Sequence, residues 1–153
     1  MTGLLSSADF LNVVKHTPLV SIDLIITDNQ GRHLLGKRKN APAKGYWFVP
    51  GGRIRKNECL KDAFRRLTLE EIGVAMEISD ARLLGIYEHF YDDNFAGTSG
   101  ISTHYVVLAY CLIMPTPSPS LPDTQHNDYR WDHGQAILND ASVHGNTRCY
   151  FSS

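Results

Sequence analysis

A glycine-rich turn followed by a charged helix, over residues 51–73, constrains this chain more than any other segment. Gly51 and Gly52 allow a tight backbone turn, which can point a carbonyl oxygen at a bound ion. Glu70 and Glu71 stand near the end of the predicted helix, about 100° apart around its axis. Mg²⁺ prefers oxygen ligands and usually keeps water and substrate phosphates in its shell. One or two carboxylates beside this turn would therefore suit a magnesium-bound diphosphate.

The helix itself is predicted over Cys59 to Ile72, and Gly73 is a suitable C-terminal stop. Its apolar stripe is formed by Leu60, Ala63, Phe64, Leu67 and Ile72. An ordinary amphipathic helix with a charged solvent face is the simpler interpretation of Glu70 and Glu71. That interpretation does not explain why the glycines before the helix and the charged residues along it keep one fixed spacing.

This spacing resembles the Nudix signature, G-x5-E-x7-R-E-U-x-E-E-x-G-U, where U is a bulky apolar residue. The matching positions are Gly52, Glu58, Arg66, Glu70, Glu71 and Gly73. Leu67 departs from the signature, which has Glu at this position. Because Leu67 lies one helical turn before Glu71, the resemblance implies a smaller carboxylate cluster and a single essential Mg²⁺. Alternatively, Leu67 only extends the apolar stripe, and Glu70 with Glu71 suffices for ordinary Nudix chemistry.

A longer resemblance covers nearly all of the chain, from about residue 9 to residue 151. The segments that carry it are PLVS (18–21), LGKR (35–38), GYWFVPGGR (45–53), F-x-RLT (64–68), HFYDDNF (89–95), THYVVL (103–108) and QH-x-DYRW (125–131). Together they look like the GDP-mannose mannosyl hydrolase family, a Nudix branch with the same Leu after the signature Arg. The resemblance implies hydrolysis of GDP-mannose or GDP-glucose to GDP and the free sugar. Water would attack the anomeric carbon with inversion.

The same resemblance implies roles for eight residues at matching positions. Gly51, through its backbone carbonyl, would hold Mg²⁺ together with Glu71 and Gln125, and Mn²⁺ could replace the magnesium. His126 would be the general base that deprotonates the attacking water. The departing GDP would be oriented and stabilised by Asp23, Arg38, Arg53 and Tyr105.

Physical chemistry is consistent with these implied roles. Cleaving a C–O bond to a diphosphate places negative charge on the leaving oxygen, which Mg²⁺ and arginines stabilise in the transition state. Such a leaving group needs no acid, so one base on the opposite side of the sugar is enough. A neutral histidine has a suitable pKa for this role. From the residues alone, His89 competes with His126 as the base.

Each remaining candidate also has a structural explanation. Arg38 and Arg53 could be surface charges at strand ends, and Tyr105 could be a core tyrosine with a satisfied hydroxyl. Asp23 falls inside an apolar strand, where an unpaired carboxylate is costly, so a partner such as an arginine is expected.

The predicted fold is α/β (α+β): a Nudix fold with a mixed central β-sheet flanked by helices, forming a single domain over residues 1–153. Strands are predicted at Leu19 to Thr27, His33 to Lys37, Trp47 to Val49, Leu83 to Phe90, His104 to Met114 and Tyr129 to Trp131. Short helices are predicted after Ser6 or Ser7 and at Gly134 to Asn139. The proline-rich stretch Pro115 to Pro122 is predicted to be an extended surface connection.

Composition excludes several classes of partner. The net charge of −1 gives no general attraction to nucleic acid. The sequence has no apolar stretch long enough to span a bilayer and no signal-peptide pattern, so a cytoplasmic location is expected. Three widely spaced cysteines indicate reduced thiols. The family resemblance implies a homodimer, with the early segment reaching the neighbouring subunit, although an intramolecular docking helix would look the same in sequence.

Two other functions remain compatible with the sequence. An ordinary Nudix pyrophosphatase would cleave between the phosphates of a nucleoside diphosphate derivative. A catalytically silent sensor would bind a nucleotide sugar without cleaving it.

Overall fold

The computed structural model describes residues 4–115, 121–122 and 126–152, with only the backbone of residues 126 and 127. The helices are α1 Ser7–His16, α2 Leu60–Ile72, α3 Gly134–Leu138 and α4 Gly145–Arg148. The strands are β1 Leu19–Thr27, β2 His33–Arg38, β3 Trp47–Phe48, β4 Gly51–Arg53, β5 Arg82–Tyr91, β6 Thr103–Ile113 and β7 His126–Asp132. Short 3₁₀ turns occupy Ile78–Asp80 and Cys149–Phe151.

All seven strands form one mixed sheet. Its main order is β3-β2-β1-β6-β5, while β4 pairs with β1 and β7 pairs with β2. The long β1 and β6 run parallel, from Leu19 opposite Tyr105 to Thr27 opposite Ile113, and the other pairings are antiparallel. The expected mixed sheet is therefore confirmed.

Both faces of the central strand β1 are buried. Ile22, Leu24 and Ile26 point to one face, where they pack in a cluster with Phe64 of α2. Ile25 points to the other face, in a cluster that includes residues of the short C-terminal helices. Burying each such side chain contributes about 1.5–3 kcal/mol. The alternation along β1 therefore holds the sheet between two helical layers, as predicted.

Helix α2 begins and ends close to its predicted limits. Cys59 is its N-cap residue, and Gly73 adopts the left-handed conformation, with φ 81°, that closes the last turn. One residue of the predicted stripe lies outside the core: Leu60, at the first position of α2, is 43% exposed.

Other differences concern short elements. β4 and α4 were not predicted, and β7 is longer than the expected Tyr129 to Trp131. Most of the predicted Pro115 to Pro122 connection lies outside the described residues. Within the described part of the chain, the helices are all too short or too polar to cross a bilayer.

Candidate active site

Five of the eight predicted site residues line one cavity at the centre of the sheet. They are Asp23, Arg38, Gly51, Arg53 and Tyr105. His89 also lines this cavity. The predicted residues Gln125 and His126 lie outside the described side chains, although the backbone of His126 pairs with Arg38 at the end of β2.

Pairing between β1 and β4 explains why a glycine occupies position 51. Asp23 is opposite Gly51 in the register of these strands. A Cβ atom on Gly51 would lie 2.5 Å from Asp23 Oδ1 and 2.5 Å from the carbonyl oxygen of Ile22. Only glycine lets the turn approach the Asp23 carboxylate this closely.

The half-buried Asp23 and the buried Glu71 come together at this turn. Burial raises the pKa of Asp23 to about 6; the hydrogen bond from Tyr150 and the charge of Arg38 lower it, whereas the charge of Glu71 raises it. Glu71 is only 1% exposed. Asp23 accepts a hydrogen bond from the Tyr150 hydroxyl, 2.6 Å from Oδ2, and the charge of Arg38 also acts on it, so the expected arginine is accompanied by a tyrosine.

These residues fit a divalent cation. The neighbouring carboxylates of Asp23 and Glu71 repel each other, and a hard cation with oxygen ligands relieves that repulsion. The close approach of Gly51 to Asp23 adds backbone oxygens to the same region. Among the described residues, no group of three or more His, Cys, Asp or Glu side chains could hold a metal by itself. A cation here would therefore take further ligands from backbone or substrate oxygens.

The other charged residues of the signature hold the loop onto α2. Arg66 donates from Nε and Nη2 to the two carboxylate oxygens of Glu58, at 2.7 and 2.8 Å, and from Nη2 to the Arg53 carbonyl oxygen at 2.9 Å. Its Nη1 donates to Glu70 at 3.1 Å, and Arg55 lies 3.7 Å from the same carboxylate. Glu70 is thus paired with two arginines, whereas Glu71 lies buried beside Asp23.

Leu67 belongs to the apolar core. It is 1% exposed and packs in the cluster with Phe64. A Cβ atom on Gly52 would lie 2.6 Å from Leu67 Cδ2, so this side chain fills the space directly beneath β4. Leu67 therefore extends the apolar stripe of α2, and it supplies no carboxylate to the glycine turn.

Two guanidinium groups are held at the cavity by aromatic rings. The Arg38 guanidinium lies 4.6 Å from the centre of the Phe48 ring, and its Nη1 donates to the Pro42 carbonyl at 3.1 Å. The Arg53 guanidinium lies 4.6 Å from the Phe10 ring of α1. Burial lowers the pKa of Arg53, but an arginine keeps its charge at neutral pH. The cavity therefore offers two fixed positive charges to an anionic ligand.

The rival histidine is a buried, neutral group. His89 is 5% exposed, and burial, with the charges of His144 and Arg38, lowers its pKa to about 4. The neighbouring Glu88 projects to the opposite side of β5, where its carboxylate lies 3.4 Å from His104. Glu88 is thus not a second acid of the cavity.

Sequence reasoning missed the contribution of the C-terminal segment. Tyr150, from the 3₁₀ turn Cys149–Phe151, reaches Asp23 across the sheet. Phe48 and Tyr91 also line the cavity. No local pattern could identify Tyr150, because its partner is 127 residues away in the chain.

Comparison with known families agrees with the fold. The model of the NUDIX domain matches residues 17–149, and the chain belongs to this family. Nudix hydrolases act on nucleoside diphosphate derivatives and generally use divalent metals such as Mg²⁺. The family therefore makes a hydrolase the appropriate class for this chain.

Two proteins of known name are similar in sequence. The low-salt glycan biosynthesis protein Agl8 of Haloferax volcanii is 44% identical over 119 residues, which cover 77% of this chain and 72% of that protein. An ADP-ribose pyrophosphatase of Methanocaldococcus jannaschii is 39% identical over 70 residues, which cover 46% of this chain and 40% of that protein.

Solved structures share the fold. The MutT NUDIX hydrolase from Burkholderia pseudomallei is 29% identical, with a TM-score of 0.68 over 89% of this chain and 97% of that one. The MutT protein from Methanosarcina mazei Go1 has a TM-score of 0.70 at 21% identity, covering 89% of this chain and 92% of that chain, and supports the fold alone.

Proposed function

We propose that this protein hydrolyses GDP-mannose or GDP-glucose to GDP and the free sugar, in a Mg²⁺-dependent reaction at the anomeric carbon with inversion. The observation that carries the proposal is the buried Leu67 beneath Gly52, where the Nudix signature has an acid. The segment resemblance to GDP-mannose mannosyl hydrolases supports the same assignment. The name of the similar Agl8 protein, which refers to glycan biosynthesis, is consistent with a sugar-nucleotide substrate.

In this proposal the residues divide into three roles. Gly51, Glu71 and Gln125 hold Mg²⁺, which when bound neutralises charge on the diphosphate. Asp23, Arg38, Arg53 and Tyr105 orient the leaving GDP. Arg38 and Arg53 stabilise charge that grows in the transition state. His126 takes the proton from water.

His126 is preferred to His89 as the base. His89 is buried, and its Nε2 already lies 3.2 Å from the Tyr150 hydroxyl. Its pKa, lowered to about 4, makes it a weaker base than an ordinary histidine. A base poised near neutral pH suits the reaction better.

Pyrophosphate cleavage is the second candidate. The similarity to an ADP-ribose pyrophosphatase favours it, and so does the complete network of Glu58, Arg66 and Glu70. In that reaction the water attacks phosphorus, and the products are GMP and a sugar phosphate.

Hydrolysis in ¹⁸O-labelled water separates these candidates. The protein is incubated with GDP-mannose and Mg²⁺, and the masses of the products are determined by mass spectrometry. Label in the sugar, with GDP as the other product, supports the proposal. Label in a phosphate, with GMP released, refutes it. Measurable binding of GDP-mannose without turnover would instead support a sensor.

The proposal also covers assembly: one Nudix domain over residues 1–153, acting as a homodimer. On β5, the large apolar side chains Ile86 and Phe90 are 67% and 64% exposed, which is the type of surface that a second copy covers. Light scattering of the purified protein tests this. A monomer mass at all concentrations would contradict it.

A further inference from the structure

We propose that Tyr150 is a positioning residue that acts through Asp23: a hydrogen-bonded chain from His89 through the Tyr150 hydroxyl fixes the Asp23 carboxylate in the cavity. The inference rests on the proposed hydrolysis. It assigns a part in that reaction to the C-terminal segment, which carries no residue of the Nudix signature.

The three groups are already connected. The Tyr150 hydroxyl lies 2.6 Å from Asp23 Oδ2 and 3.2 Å from His89 Nε2. Tyr150 is buried, and the ring of Tyr87 packs against it edge-on, with the ring centres 4.8 Å apart. The hydroxyl is therefore held between its two partners by packing of its own ring.

The segment that carries Tyr150 is attached to the strand before the glycine turn. The Trp47 amide donates to the Ser142 carbonyl at 3.0 Å, and the His144 amide donates to the Trp47 carbonyl at 3.0 Å. The fully buried Thr147 accepts a hydrogen bond from the Val49 amide at 3.2 Å. The glycine turn and Tyr150 are thus fixed to the same piece of backbone.

The direction of the chain follows from counting protons. A tyrosine hydroxyl has one hydrogen, and the 2.6 Å contact shows that Tyr150 donates this hydrogen to the Asp23 carboxylate. The hydroxyl oxygen must then accept from His89, so the neutral ring of His89 carries its proton on Nε2. Linked donors that end on a carboxylate strengthen one another.

The chain leaves one oxygen of Asp23 for the cavity. Oδ2 accepts the hydrogen bond from the Tyr150 hydroxyl, while Oδ1 faces Gly51, where an added Cβ atom would lie 2.5 Å away. Tyr150 thereby sets the rotation of the carboxylate. His89 then has a role other than that of the base, because its Nε2–H donates to the Tyr150 hydroxyl.

A double-mutant cycle separates positioning from simple core filling. Tyr150→Phe removes the hydroxyl and keeps the ring. Because a hydrogen bond to a charged group is lost, we expect kcat for GDP-mannose to fall roughly 10- to 100-fold, with KM changed less than about twofold. In the Asp23→Asn background, the same substitution should change kcat less than about twofold. Tyr87→Phe is the matched control and should retain parental kcat.

An effect of Tyr150→Phe that is equally large with Asp23 and with Asn at position 23 would overturn the inference. A merely structural tyrosine would behave in that way, because its contribution to packing does not depend on the carboxylate.

A second measurement does not require turnover. Nitrogen-15 NMR of histidine-labelled protein at pH 7 reports which ring nitrogen of His89 carries the proton. We expect the Nε2–H form in the parent and in Tyr87→Phe, and a shift toward the Nδ1–H form in Tyr150→Phe. A parent His89 protonated on Nδ1 refutes the chain. If the unmutated protein does not hydrolyse GDP-mannose, only the proposed function is refuted. The NMR result then tests the hydrogen-bonded chain independently.

Discussion

Replacing Leu67 by glutamate restores the acid of the Nudix signature, and the structure predicts its cost. Leu67 is 1% exposed and packs with Phe64 in the core. Losing this burial forfeits about 1.5–3 kcal/mol. The new carboxylate would be desolvated beneath Gly52, one helical turn before Glu71, and like charges at that spacing repel. In the absence of metal we expect Leu67→Glu to lower the free energy of unfolding by at least about 3 kcal/mol.

The assay is urea and thermal unfolding in EDTA, followed by Mg²⁺ titration. A loss of about 3 kcal/mol corresponds to a decrease of roughly 6–12 °C in Tm for a domain of this size. Leu67→Met conserves volume and should cost less than about 1.5 kcal/mol. Leu67→Gln is the uncharged polar control. Because an ion that binds only the folded state stabilises it, Mg²⁺ should stabilise Leu67→Glu more than either control.

Two results would refute this reasoning. If Leu67→Glu is as stable as Leu67→Met in EDTA, position 67 is not desolvated. If Mg²⁺ stabilises all variants equally, position 67 is not beside the cation, and a leucine there cannot account for a smaller metal cluster.

Three further predictions concern the cavity. Gly51→Ala should destabilise the protein by about 1–3 kcal/mol and abolish most activity, because the new Cβ atom meets the Asp23 carboxylate; urea unfolding and kcat check this. His126→Gln should slow turnover about 10²–10⁴-fold with Mg²⁺ affinity unchanged by calorimetry, and parental rates would refute the assigned base. In EDTA, Asp23→Asn should make stability fall as the pH falls from 6.5 toward 4; unfolding at several pH values would show this slope, and a flat profile would contradict it.

In the cavity, two groups act in opposite directions on that pH dependence. The pKa of His89 is lowered to about 4, so the unfolded chain binds the proton more readily, and its contribution to stability is lost as the pH falls below 6.5. The pKa of Asp23 is raised to about 6, so the cost of its ionised form is relieved over nearly the same range. These two contributions oppose each other in the parent, while His33 and His144, whose pKa values are also lowered by burial, act in the same direction as His89. In Asp23→Asn, the contribution of Asp23 is absent, so the loss of stability caused by His89 is no longer offset.

The pattern of apolar residues in the sequence predicted the strands and helices in which buried and exposed positions alternate regularly. The limits of β1 were predicted from its branched residues, and the end of α2 from Gly73, the residue that closes its last turn. β4 could not be found in this way, because Gly-Gly-Arg has little intrinsic strand preference. It becomes a strand through pairing with β1. Leu60 shows the opposite case: it is apolar and in register with the stripe, yet it is exposed at the first position of the helix.

The site residues could be predicted from sequence where they lie in segments that resemble a known family. Asp23, Arg38, Arg53 and Tyr105 lie in segments that resemble a known family, and the sheet brings them to one cavity. The register that brings Asp23 opposite Gly51 is a tertiary property. Tyr150 has no such segment, and only the folded chain joins it to Asp23.

The distribution of charge explains how the cavity can accept a diphosphate with one fewer acid. Glu58 and Glu70 are paired with Arg66, and Asp23 and Glu71 are the acids that lie close to each other near the turn. An added carboxylate at position 67 would increase repulsion toward phosphate and require additional cations to offset it. With leucine there, the two cavity arginines and one divalent cation would be enough to balance the acids and the incoming anion. The buried leucine and the single proposed Mg²⁺ are therefore two consequences of the same charge balance.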